Sequence, residues 1–370
     1  MYIYFIPLLF LFLLSKYKIS KRNVIFTTLV IMFFLCFGYM TGSDWRSYET
    51  DYYSGFINRL VEPGYMLLSN LFSSIKINFW IFHIFFKCLS YISISFLIIK
   101  LVDGLNPFYP FALWYASFGL YMFIDCPFRN LIACGIGAYS FILLSKNKII
   151  AYYLSCILAM TFHLSSIILL FVPFLDFNKF RTKTLVLIYI SLLIILGFGG
   201  TDLLLKIINS SLPPVIANRI DYYSESSGSV FSIGLVLRLI CLYLITRYRN
   251  AIVNNHYYGK LVFSTTYLYL LSSLVYYVFP MLFRSALFLG PFYVVAIFWG
   301  IREFKKKYRK ILYSLITCAF ILIVYTTVKS VYFVPYTNII PYVIKGETYN
   351  YDYRDNYNFI NSPYKKKLTD

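Results

Sequence analysis

The chain has 370 residues, of which 60% are apolar, 21% aromatic and only 13% charged, with a formal net charge of +19 and seven cysteines. A soluble domain carries about a quarter charged residues, so this composition excludes a water-soluble globule and indicates a polytopic membrane protein. The cations sit in short loops beside apolar runs, which sets nucleic acid aside as a partner, and cysteines without any CxxC pair set aside a disulfide framework or metal site.

Apolar runs of about twenty residues are long enough to cross a hydrocarbon core roughly 30 Å thick. The first, 2–15, is followed rather than preceded by Lys16, Lys18, Lys21 and Arg22 and lacks a small-residue cleavage site. It reads as a retained helix with its N-terminus outside, not a signal peptide. The spans that follow are 24–40, 77–100, 108–124, 129–145, 184–199, 231–246, 261–279, 283–300 and 311–328. Together they predict an all-α, inner-membrane helical bundle of about ten full spans. Residues 1–330 form one polytopic domain, and the Tyr/Asn-rich tail 331–370 lies on the periplasmic side.

The segment 149–173 breaks the alternation of charge. A single crossing there would place Lys179, Arg181 and Lys183 on the face opposite Lys146 and Lys148 and would invert every later cluster. A broken hairpin entering and leaving on the cytoplasmic side restores the bias of Lys and Arg to inner loops. It predicts two short helices meeting near 161–164, with His163 at the apex. Freed backbone groups at such a break have to be enclosed by protein or face a wet cavity.

The polar residues left on the outer side are the candidates for chemistry. The loop after the second span carries Asp44, Arg46, Tyr48, Glu49 and Asp51, then Arg59, Glu62, Pro63, Gly64 and Tyr65. A carboxylate there can act as base toward a sugar hydroxyl, and tyrosines stack on sugar faces. Arg129 opens the fifth span, Arg284 stands in a similar position after Pro280, and Arg238 lies deeper in its helix. An ionisable residue at such depth faces a cavity, a partner or a ligand. Guanidinium forks match phosphate oxygens, so these three arginines suggest a diphosphate clamp, against the plainer reading of interfacial anchors. His83 and Lys87, spaced i, i+4, share a helix face and read first as an interhelical contact. No HExxH, Walker loop or GxSxG motif occurs.

Gly42-x-Asp44 with Tyr48, Glu62-Pro63-Gly64-Tyr65, Phe128-Arg129-x-x-Ile132-Ala133 and Phe162-His163-x-Ser165-Ser166 occur in that order. This set resembles the EpsG-like, Wzy-type polysaccharide polymerases of bacterial inner membranes. The likeness spans roughly residues 35–175, with a looser echo near Arg284. Asn130 stands where that family commonly has Gln. The resemblance implies a membrane glycosyltransferase of GT-C-like architecture that joins oligosaccharide repeat units carried on undecaprenyl diphosphate, at the periplasmic face, in O-antigen, capsule or exopolysaccharide synthesis. It implies a flippase and a chain-length regulator as partners beside the lipid bilayer. In this scheme Asp44 is the leading base, with Glu62 and His163 behind it. Arg129, Arg284, Arg238, Arg46, Tyr48 and Tyr65 bind substrate, and neither metal nor cofactor is required. The competing readings are a lipid-linked oligosaccharide flippase, which fits Lys87 and Arg238, and an O-antigen ligase, whose late outer loop usually carries arginine and histidine. Here the 200–230 loop has Arg219 and no histidine.

Overall fold

A computed structural model describes residues 1–55, 61–198, 233–330 and 332–345. The protein is all-helical, and the one β-type contact among the described residues is an isolated antiparallel bridge, Gly38–Asn338. By length and composition, three helices among the described residues suffice to cross a membrane: Phe79–Leu101, Phe283–Arg302 and Lys306–Thr327. Shorter apolar helices accompany them at Tyr2–Leu14, Phe128–Leu144, Ile149–Phe162 and Thr182–Gly197. Large apolar side chains such as Ile6, Phe26, Leu67, Ile81, Leu154 and Leu187 stand exposed on these and neighbouring helices. In a chain with so few charges, such faces are covered by lipid. The protein is therefore a membrane protein.

The chain divides into two compact units, one of Met1–Ile99, Leu105–Leu164 and Thr317–Asp370, the other of Lys100–Gly104 and Ser165–Ile316. In the first unit, α1 (Phe5–Leu14) leads to α2 (Lys21–Cys36), whose start is capped where Asn23 N–H donates to Ser20 Oγ at 3.3 Å. Two amphipathic helices follow, α3 (Trp45–Ser54) and α4 (Pro63–Ser74), the second with proline in the first turn, where its missing N–H costs nothing. α5 (Phe79–Leu101) begins where Asn78 Oδ1 accepts from Trp80 N–H at 2.8 Å.

α6 (Phe108–Trp114) continues into two π-helical turns, Tyr115–Gly119 and Tyr121–Asp125, and stops at Cys126, whose φ is +56°. Such turns re-aim the end of a helix and are common at functional sites. α7 (Phe128–Leu144) starts directly after Pro127 and packs along α8 (Ile149–Phe162). α8 ends at His163, which is extended at φ −160° and ψ 124°. A 3-10 turn, Leu164–Ile167, comes next, then α9 (Ile168–Phe171), which already belongs to the second unit. The break expected at 161–164 is present.

The described part of the second unit also contains α10 (Thr182–Gly197), α11 (Ile233–Arg247), α12 (Arg249–Asn255), α13 (Gly259–Val278), α14 (Phe283–Ala286) and α15 (Gly290–Arg302). α15 is buried on nearly every side, packed on α11 and α13. α16 (Lys306–Thr327) then carries the chain back to the first unit.

The stretch after residue 330 returns to the end of α2. Tyr39 N–H donates to Thr337 O at 3.0 Å, Ile339 N–H to Phe37 O at 3.0 Å, and Gly42 N–H to Tyr332 O at 3.0 Å. Thr337 Oγ1 also donates to Tyr39 O. A short helix, α17 (Ile340–Lys345), follows this pairing. Residues near the end of the described chain thus hold the entrance to the first long loop.

Candidate active site

The site residues of the first unit gather where α3, α4 and α7 begin. Asp44 occupies the N-cap position of α3, with its carbonyl accepting from Tyr48 N–H at 3.2 Å. Ser43 Oγ donates to Asp44 Oδ1 at 3.1 Å, and Asp44 Oδ2 has no hydrogen-bond partner among the described residues. Glu62 occupies the N-cap position of α4, and its carboxylate is paired with Arg129 Nη1 in the first turn of α7. The helix start favours the carboxylate of Glu62 and not the guanidinium of Arg129, so the ion pair offsets an unfavourable end charge on α7.

Aromatic rings build the wall behind this pair. Tyr48 meets Tyr65 and Phe128 edge-on, each at 5.8 Å between centroids, and Tyr65 meets Phe128 at 6.0 Å. The Arg129 guanidinium lies 6.0 Å from the Tyr48 ring centre, within cation–π range. Tyr65 is fully enclosed. Burial pushes its phenol well above the usual range, the Tyr48 phenol adds to that, and the nearby Arg129 charge pulls the other way.

Arg129 divides its donors. One edge is engaged by Glu62, while Nε is buried without a partner among the described residues. A buried donor left unpaired costs on the order of 1–3 kcal/mol, so the arrangement calls for an acceptor.

The remaining expected residues have neighbours of their own. Arg46 is exposed, pairs with Glu49 at 3.5 Å and lies 5.9 Å from the Trp45 ring centre. His163 is half-buried at the α8 break. In the second unit Arg238 is 3% exposed and donates to Tyr276 Oη at 3.2 Å. Tyr276 meets Phe283 edge-on at 5.2 Å, the residue before Arg284. Arg238 and Arg284 thus belong to neighbouring elements of one unit. Arg59, Arg219 and the tail beyond Lys345 lie outside the described residues.

Two further residues brace the site, and the sequence signals only the first. His83, 3% exposed, packs its ring on Phe128 at 4.2 Å and lies 3.7 Å from Cys126 Sγ, so it supports the wall from behind. Asp125 accepts from Ser43 N–H at 3.0 Å, joining the end of the π-turns to the loop bearing Asp44. The i, i+4 spacing of His83 and Lys87 hinted at the first; a lone Asp before Cys-Pro offered no signal for the second.

An open apolar groove of about 760 Å³ runs along α5, the end of α2 and α17. Its wall includes Tyr39 and Trp80, and Trp80 reaches Trp45 at 5.7 Å on the side of the site. Together these features define a helical membrane protein with a carboxylate- and arginine-bearing site where its helices begin, beside a groove of hydrocarbon character. A model of the EpsG family matches residues 21–343, and the chain belongs to that family, a group of polysaccharide polymerase-like membrane proteins. No curated protein and no solved structure matches the chain.

Proposed function

We propose that the protein is a membrane glycosyltransferase that polymerises oligosaccharide repeat units carried on undecaprenyl diphosphate, working at the extracytoplasmic face of a bacterial inner membrane. The observation that carries this reading is the divided fork of Arg129, held on one edge by Glu62 with Nε buried and unpaired among the described residues beside the tyrosine wall. A hydroxyl oxygen of the acceptor sugar attacks the anomeric carbon of the donor, and the bond from that carbon to the diphosphate oxygen breaks. The electron pair leaves with the diphosphate, and the hydroxyl proton passes to the Asp44 carboxylate. Arg129 stabilises the charge growing on the leaving group, a contribution worth about 100- to 1,000-fold in rate for one well-placed donor. Glu62 orients that guanidinium. Its pairing with Arg129 makes it less suited to accept a proton than Asp44. Tyr48 and Tyr65, packed with Phe128, hold the wall behind Arg129, and the groove beside Trp80 accommodates hydrocarbon. Arg238 and Arg284 are assigned as anion contacts of the second unit, and Arg284 is tested below.

Arg129→Ala and Arg284→Ala are expected to abolish long glycan chains at unchanged protein abundance, read as surface glycan ladders against a deletion strain. Single repeat units should then accumulate outside the cell. Lipid-linked units trapped inside would favour a transporter, and full-length polymer from a charge-reversed Arg129 variant would sink the role given to Arg129.

A further inference from the structure

Asp125 ends a helix whose last two turns are π-helical, and the next residue, Cys126, is left-handed at φ +56°. This geometry brings the end of the helix against the loop that carries Asp44. Ser43 N–H donates to Asp125 Oδ1 at 3.0 Å, while the preceding Gly42 N–H donates to Tyr332 O at 3.0 Å. Two consecutive amides are thus tied to two different parts of the fold. Gly42 has φ +90°, and a Cβ placed on it would lie 2.7 Å from Ile124 O and closer still to Asp125 O. Only glycine permits that approach of two backbones. Ser43 Oγ in turn donates to Asp44 Oδ1 at 3.1 Å.

We infer that Asp125 is a positioning residue: its carboxylate clamps the Gly42–Ser43 peptide and thereby aims the Asp44 carboxylate at the acceptor. This rests on the reading of Asp44 as the base. Asp125 needs only an acceptor oxygen for this task and transfers no proton. Asparagine at 125 keeps that oxygen, alanine removes it, and alanine at 42 forces the two backbones apart.

The test compares Asp125→Asn, Asp125→Ala, Gly42→Ala and the Asp125→Ala/Gly42→Ala double variant of the full chain. Asp125→Ala and Gly42→Ala are expected to lose about 100-fold in kcat, the scale of an ångström-sized misplacement, with KM for the lipid-linked substrate little changed. Thermal stability should be little changed in Asp125→Ala and lowered in Gly42→Ala, whose Cβ meets backbone. Asp125→Asn should retain most of the rate, and the double variant should be no worse than the poorer single one, because both changes release the same clamp. An Asp125→Asn protein as inactive as Asp125→Ala would overturn the inference by making Asp125 a proton carrier, as would an unimpaired Asp125→Ala protein. A second readout needs no reaction. With Asp44→Cys as reporter, labelling by a membrane-impermeant maleimide should speed up in the alanine backgrounds and stay unchanged in the Asp125→Asn background. Equal labelling in all backgrounds refutes the clamp, whereas absence of polymer from the unaltered protein refutes only the reaction.

Discussion

Arg129 illustrates how a single side chain draws its meaning from its neighbours. It stands in the first turn of α7, where the helix end disfavours a cation, and it persists there because Glu62 faces it and Tyr48 lies alongside. The pair is about a quarter exposed on each side, so its value lies in orientation more than in stability. Arg129→Lys should fail to restore polymer, since an ammonium cannot serve Glu62 and a phosphate oxygen in one plane, and glycan ladders of the lysine and alanine variants will check this. Gly64 shows the same dependence in packing. A Cβ there would come within 2.9 Å of the Thr161 carbonyl oxygen and closer still to Thr161 Oγ1, so α4 and α8 touch through a residue without a side chain. Gly64→Ala should cost about 1–3 kcal/mol and shift Glu62 with the start of α4, measured as a lower midpoint in detergent thermal unfolding. The sequence singled out Glu62-Pro63-Gly64-Tyr65 as a motif. Which partner each residue meets was not legible there, because Thr161 is about a hundred positions away in the chain.

Among elements, the returning segment Tyr332–Ile339 is the clearest case of a role hidden in composition. Residues rich in Tyr and Asn resemble an exposed tail, yet their backbone pairs with the Phe37–Gly42 stretch and so closes the first loop. Replacing Ile339 by proline removes the N–H that donates to Phe37 O, and is expected to lower stability by about 1–3 kcal/mol, with Ile339→Val as the harmless comparison in the same melting assay. In the second unit His256, on the turn after α12, stacks on Trp299 of α15 at 3.8 Å with rings 2° from parallel. Burial holds its pKa below the usual range, with Asp103 and Glu303 opposing that shift and Arg302 adding to it. The folded protein thus prefers the neutral ring, while the unfolded chain takes up a proton below about pH 6.5. The contribution of His256 is therefore complete above that pH and fades as the pH falls toward the lowered value. Melting temperatures of the purified protein between about pH 5 and 7.5 should show this slope, and His256→Gln should flatten it.

For the molecule as a whole, the family and the helical membrane class agree with the alternation of apolar runs and cationic loops. The orientation drawn from that alternation belongs to the proposed function and has a direct check. A cysteine placed at 44 should react with an impermeant maleimide from outside intact cells, and one at 179 only after permeabilisation. Labelling of 44 and 179 from the same side would refute the hairpin reading of 149–173.

Reading along the chain was enough for the order and approximate extent of the apolar helices, because desolvating a backbone in lipid demands long apolar runs, and such runs are visible one residue at a time. It also marked the polar residues that such a chain does not place at random: Asp44, Glu62, Arg129 and His163. Three contacts came to light only in the folded chain: Glu62 holds Arg129, Asp125 grips the loop before Asp44, and the segment beyond residue 330 comes back to α2. Those contacts join positions tens to hundreds of residues apart through hydrogen bonds a few ångströms long, and neither periodicity nor charge along the chain encodes such a meeting.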